Sequence, residues 1–193
     1  MKSILISIQP KWAAKILNGE KTIEIRKTMP KCELPAKVFI YCTQAKQPHQ
    51  GKDCVRADHL TKPNPHHIKK EYILGANYGE CLNGKVVAEF ILKDIETIEK
   101  DQVYNASVVR HNACLNIMQL HDYIKGKKFH AWHIDNLKVY DKPKELNEFV
   151  KPTKKDCKTC FLYPNMCKNV CEETKQHLFR PPQDWCYVED LLK

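Results

Sequence analysis

The chain has 193 residues, 42% of them hydrophobic, which is enough for one core of ordinary size plus an appendage. A formal charge of +9 and a pI of about 9.0 favour a polyanionic partner, nucleic acid before an anionic membrane surface. A solubilising lysine-rich exterior is the plain alternative. No run approaches the ~18 apolar residues of a membrane span, which excludes an integral helical membrane protein. Met1-Lys2-Ser3 leads into an alternating strand instead of a signal peptide, so the expected compartment is the cytoplasm. There, ten cysteines are expected as thiols, some of them on metal.

Ser3–Ile8 reads as a strand and Pro10–Asn18 as a helix, in which Trp12/Ala13 and Ile16/Leu17 recur four apart as an apolar stripe. Pro10 suits the first helical turn and Gly19 the position just past the last. A second strand begins at Lys21, and its alternation turns Ile23 and Ile25 one way and Glu24 and Arg26 the other. The stretch Gly19-Glu20-Lys21-Thr22-Ile23-Glu24-Ile25-Arg26 therefore groups a lysine, a carboxylate and a guanidinium at a glycine turn. The plain reading is a surface ion pair at a strand start.

Lys37–Thr43 is a third strand, and the continuous apolar run Val38-Phe39-Ile40-Tyr41-Cys42 implies burial on both faces. Residues 45–84 carry Pro48, Pro63 and Pro65 among turn formers and read as a long insertion, a flap over a groove. Its His49, Cys54, His59, His66 and His67 lack the close pairs of a zinc site, and Tyr72-Ile73-Leu74 reads as either a short strand or an anchoring contact. Val86–Ile98 is a long strand in which Glu89 faces either a wetter side or the pocket of Lys21. Asp101–Ala113 is irregular. A helix starts at Asn116, where Asn116 and Gln119 fit a capping box, carries Leu120, Tyr123 and Ile124 on one stripe and ends at Gly126. Phe129–Ile134 and Leu137–Tyr140 are two further strands. Short strands with two small helices indicate a mainly β fold with α, of the α+β class.

The order of strand, Pro-led helix and Gly-x-Lys-x-x-Glu-x-Arg strand resembles the ASCH family of the PUA-like superfamily. The matching residues are Ser7-Ile8-Gln9-Pro10, Gly19, Lys21, Glu24 and Arg26, with Ala131-Trp132-His133-Ile134 later, over roughly residues 1–148 in broken pieces. The resemblance implies a PUA-like pseudo-β-barrel with flanking short helices, a domain spanning 1–150 with the insertion 45–84, and a cleft that binds RNA or a modified nucleoside or nucleotide. Its candidate binding residues are Lys21, Glu24, Arg26, Ser7, Trp132 and His133. Lys21 and Arg26 would meet phosphate or a base edge, Glu24 would accept from an exocyclic amine, and Trp132 and Trp12 would offer stacking surfaces. The plain readings are helix packing for Trp12, core for Trp132 and a satisfied strand histidine for His133. The alternative function is a small hydrolase, an amidohydrolase on N4-acylated cytidine or a ribonuclease, with Lys21 and Glu24 catalytic. Relatives with the first activity carry threonine three residues after the lysine; Glu24 stands there in this chain and opposes the activation that mechanism requires.

Past Val150, Cys157-x2-Cys160-x6-Cys167-x3-Cys171 places four thiols at spacings suited to a structural zinc with ~2.3 Å bonds, and nearby lysines favour thiolates. Free thiols and disulfides are the alternatives; no organic cofactor is implied. Residues 151–193 thus read as a cysteine-rich appendage of the kind resembling tails on bacterial and phage ASCH proteins. It ends in an apolar strand around Trp185, Tyr187 and Val188 that docks as an edge strand. The oligomeric state is not fixed by these features.

Overall fold

All six residues of strand β1 (Ser3–Ile8) are buried, because its two faces serve two different cores. The structure, a computed structural model, describes residues 3–44, 55, 81–152 and 177–190. After β1 come α1 (Pro10–Leu17), β2 (Ile23–Arg26), β3 (Ala36–Cys42) and β4 (Val86–Ile98). Next are α2 (Ser107–Asn112), α3 (Ile117–Ile124), β5 (Phe129–Lys144), β6 (Phe149–Val150) and β7 (Trp185–Asp190). They form one seven-stranded sheet in the order β2-β5-β4-β3-β1-β7-β6. β1 and β3 are parallel, and every other pair is antiparallel.

The expected pseudo-β-barrel is corrected. Closure requires a backbone ladder between the first and last strands. Here the order ends at β2 and at β6, and among the described residues no ladder joins them. The architecture is a mixed α/β fold on an unclosed sheet. The C-terminal strand also departs from expectation: β7 is not an edge but lies between β1 and β6, pairing Ile4 with Tyr187 and Leu5 with Cys186.

One core packs Ile4, Ile6, Ile8, Val38, Ile40 and Trp132 against Ala13, Ile16 and Leu17 of α1. Eight residues are too few for a helix to persist alone in water. Burying Ile16 and Leu17 supplies roughly 3–6 kcal/mol, so α1 owes its existence to packing. A second core sets Ile23, Ile25, Phe129 and Ala131 against Val109, Leu120 and Ile124 of α2 and α3. A third joins Leu5, Phe39, Tyr41, Phe149, Leu178 and Val188.

The capping box of α3 is present: Gln119 N donates to Asn116 Oδ1 at 2.8 Å, and Asn116 N to Gln119 Oε1 at 3.1 Å. The helix ends at Ile124, two residues before Gly126, with the capping Lys125 itself left-handed at φ 51°. Two expectations fail. Asp101–Ala113 is not irregular but contains α2, whose one buried helical residue, Val109, leaves no stripe to read. Phe129–Ile134 and Leu137–Tyr140 are one strand, β5, which continues through register shifts and a left-handed Asn136 at φ 48°.

His49, Cys54, His59, His66, His67 and Tyr72-Ile73-Leu74 lie outside the described residues, as do Cys157, Cys160, Cys167 and Cys171. Cys32, Cys42, Cys114 and Cys186 are free thiols, whereas Cys81 is disulfide-bonded, against the expectation of thiols throughout. Among the described residues no helix is long and apolar enough to cross a membrane.

Candidate functional site

The turn after α1 sets the site. Gly19, at φ 76°, donates its N–H to Ile16 O, and the next two N–H groups, of Glu20 and Lys21, both reach Lys15 O at 2.9 and 3.1 Å. This reversal delivers Lys21 to the interior, where it is 2% exposed. Its Nζ donates to Ala113 O at 2.9 Å, sits 3.2 Å from Glu24 Oε2, and lies 5.5 Å from the centre of the Trp12 ring. The alternation of β2 then places Glu24 and Arg26 together, with Arg26 Nε 3.0 Å from Glu24 Oε1. Both side chains are buried. The surface-ion-pair reading is thereby overturned.

Arg26 reaches further than Glu24. Its Nη2 donates to Ser7 O at 2.6 Å, and its Nη1 donates to Asp184 Oδ1. Asp184 Oδ2 accepts from Thr28 Oγ1 at 2.8 Å, and that hydroxyl accepts from Trp185 Nε1 at 2.9 Å. Ser7 Oγ donates to Pro182 O at 2.6 Å. Two cations and two carboxylates thus form a balanced chain that ties β2 to β1 and to the start of β7 through side chains. Burial alone would lower the Arg26 pKa, but Glu24 and Asp184 outweigh it and raise it. The Tyr123 phenol on α3 is within reach of the same charges: burial pushes it up, Arg26 opposes, and Glu24 and Asp184 add to the rise.

Aromatic rings complete the site. Trp132 on β5 is paired in register with Glu24, so both side chains share a face. The Trp132 ring is fully buried, and its Nε1 has no hydrogen-bond acceptor among the described residues. Its ring lies 6.1 Å from that of Trp185, which meets Tyr187 edge-on at 5.4 Å.

The structure brings together Ser7, Lys21, Glu24, Arg26 and Trp132, with Trp12 beside them. His133 is excluded, because it is paired with Ile23 on the opposite face, is 40% exposed and lies 4.0 Å from Glu96. Glu89 belongs elsewhere too, held by Lys37 Nζ at 3.3 Å and by the Tyr140 hydroxyl at 2.7 Å. Asp184, Thr28 and Trp185 were missed by sequence reasoning. Asp184 stands 158 positions from Arg26, and the only local hint is an acid after Pro181-Pro182 at the head of an apolar strand.

The expectation of structural zinc is corrected as well. Among the described residues no group of three or more His, Cys, Asp or Glu could hold a metal ion, and the four cysteines on which it rested lie outside them. What the site offers is hydrogen bonding. Glu24 has lone pairs beyond its two cationic neighbours, Lys21 carries a third proton, and Trp132 Nε1 is a buried donor with no acceptor among the described residues.

No family model matches the chain, and no curated protein matches it. Solved structures do. The crystal structure of ASCH from Zymomonas mobilis is 19% identical with a TM-score of 0.54, covering 97% of this chain and 87% of that one. A Tyr-to-Phe variant of that protein gives 18% and 0.55, covering 98% and 91%. A Ser-to-Ala variant gives 18% and 0.54, covering 97% and 88%. A likeness this extensive gives no support to a separate cysteine-rich appendage. At such identity it shows a shared fold, and the chain is built on the fold of the ASCH proteins.

Proposed function

We propose that the cleft of Lys21, Glu24 and Arg26 recognises a nucleobase edge in RNA or in a modified nucleoside. The observation that carries this is the buried carboxylate of Glu24, held between two cations on the same sheet face as the unpartnered indole N–H of Trp132. A base edge with an exocyclic amine and a ring acceptor supplies a donor for Glu24 and acceptors for Lys21 and Trp132, and Trp12 and Trp185 flank the place where it would lie. The shared fold with ASCH proteins supports the same reading.

Catalysis is the second reading: Glu24, a buried carboxylate 3.2 Å from Lys21 Nζ, holds that lysine charged and would itself serve as the general base. A hydrolase would use this pair on the acyl group of an N4-acylated cytidine or on RNA. One experiment addresses both readings. Cytidine, N4-acetylcytidine and a short single-stranded RNA are titrated calorimetrically into wild type, Lys21→Met and Glu24→Gln, with chromatography of each mixture. Loss of one charge-assisted hydrogen bond should weaken binding about tenfold or more. Equal binding by all three proteins removes the assignment, and product formed by wild type alone makes the protein an enzyme.

A further inference from the structure

On the other face of the sheet lies a groove of about 450 Å³, lined by Tyr41, Gln44, Asn147, Leu178, Phe179 and Pro181 among others. Its volume falls in the range of small-ligand sites. The lining is mixed: a phenol and two side-chain amides offer donors and acceptors, and Phe179 stands at the rim with 80% of its surface exposed. A lone exposed aromatic is ordinary on a protein surface. This one is held in place from both sides. Leu178 is buried in the third core and donates its N–H to Phe149 O at 2.9 Å, while Pro182 O is bound by Ser7 Oγ at 2.6 Å. Gln44 is also seated by design of the backbone. Gly84, at φ +85°, packs under it, and a Cβ there would come within 3.3 Å of Gln44 Nε2.

The groove and the cleft are the two sides of one segment. Phe179 and Pro181 line the groove, whereas Asp184 binds Arg26 in the cleft. Across β1 and β3, Tyr41 is the register partner of Ser7, the residue whose carbonyl accepts from Arg26. The two sites lie on opposite faces of the sheet and are linked by the segment Leu178–Asp184, which passes from one to the other. The one carboxylate lining the groove, Glu145, is met by Lys85 Nζ at 3.6 Å, so the lining carries no uncountered negative charge against a nucleotide.

We infer that the groove is a second base-binding subsite, which stacks a base on Phe179 and reads its edge with Gln44 and Asn147, so that the ligand is a single-stranded nucleic acid and not a free nucleoside. The inference rests on the cleft reading above and joins to it a second site on the opposite face, which a strand of several nucleotides reaches and a free nucleoside does not. Rings with neighbouring amides and cations are the means by which proteins hold unpaired bases and their phosphates.

The test compares cytidine with a fluorescently labelled RNA hexamer on wild type, Phe179→Ala, Phe179→Trp, Gln44→Ala and Lys21→Met. Wild type should bind the hexamer at least tenfold more tightly than cytidine. Phe179→Ala should cost the hexamer about tenfold or more while leaving cytidine binding unchanged, and Phe179→Trp should retain it. Gln44→Ala should act in the same direction by a smaller factor. Phe179 is exposed, so these losses cannot be ascribed to misfolding. Hexamer affinity within twofold of wild type in both Phe179→Ala and Gln44→Ala, with Lys21→Met still impaired, overturns the groove and leaves the cleft standing. Hexamer binding indifferent to Lys21→Met overturns the cleft reading and with it the joined site.

Discussion

Lys21, Glu24 and Arg26 are each tolerable in the interior only because the others are there. Removing one member of a buried ion pair leaves a desolvated charge behind, at a cost of about 3–5 kcal/mol. Glu24→Ala strands Lys21, which among the described residues keeps Ala113 O and the face of Trp12 but no counter-charge, whereas Arg26 retains Asp184 and Ser7 O. We expect Glu24→Ala to lose about 3–5 kcal/mol in urea denaturation. The double variant Lys21→Met/Glu24→Leu should recover part of that loss, since it removes the stranded charge with its partner. A double variant as unstable as the sum of the singles would show that the two residues are not coupled. A second residue-scale expectation concerns Cys42. Burial pushes its thiol up to about 12, so near pH 8 only about one molecule in 10⁴ carries the thiolate. After brief iodoacetamide treatment of native protein, peptide mapping should find Cys42 unmodified; early labelling would contradict its burial.

At the scale of elements, the junction of β2 with β5 ties stability to pH. His130, the register partner of Arg26, shares a 2.9 Å hydrogen bond between its Nδ1 and Thr97 Oγ1. Burial, with Lys128 adding to it and Glu99 opposing, lowers its pKa below the ordinary value of about 6.5. In the window between that lowered value and ~6.5 the unfolded chain binds more protons than the folded one, so stability must fall as pH falls through it. The urea midpoint of wild type should drop between pH 7.5 and 5.5, and His130→Gln should flatten that drop; an unchanged slope would acquit His130. The same elements show what the sequence discloses. β1, α1, β4 and the cap of α3 were legible because period, proline position and capping residues are local signals that packing reinforces. Lys21, Glu24 and Arg26 were legible because alternation over four residues fixes which side chains share a face. The continuous course of β5 was hidden by Asp135-Asn136, turn formers that are absorbed here by a register shift. Asp184 was hidden because its partner is set by the placement of β7 beside β1, and the open end of the sheet by the pairing of β2 with β5 alone. Such long-range pairings leave no trace in a short window of residues.

For the whole molecule, the dominant electrostatic fact is a formal charge of +9 alongside nine histidines. Full protonation of those histidines doubles the charge, and because self-repulsion grows with the square of charge, its energy rises about fourfold. The exposed pairs among the described residues, such as Lys15 with Glu20, contribute only about 0–1 kcal/mol each and cannot offset a change of that size. Acid instability therefore has two sources, local titration at His130 and repulsion across the molecule. Salt separates them, because it screens repulsion between distant surface charges within about 10 Å at 0.1 M but leaves a buried group's desolvation untouched. We expect the melting temperature to fall between pH 7.5 and 5.0 by more in 20 mM than in 300 mM sodium chloride. A residual drop in high salt should then be reduced by His130→Gln. If the fall is equal at both salt concentrations, repulsion is not its cause and the drop belongs to buried groups, which His130→Gln then tests. If His130→Gln leaves the high-salt drop intact, another buried group must be titrating.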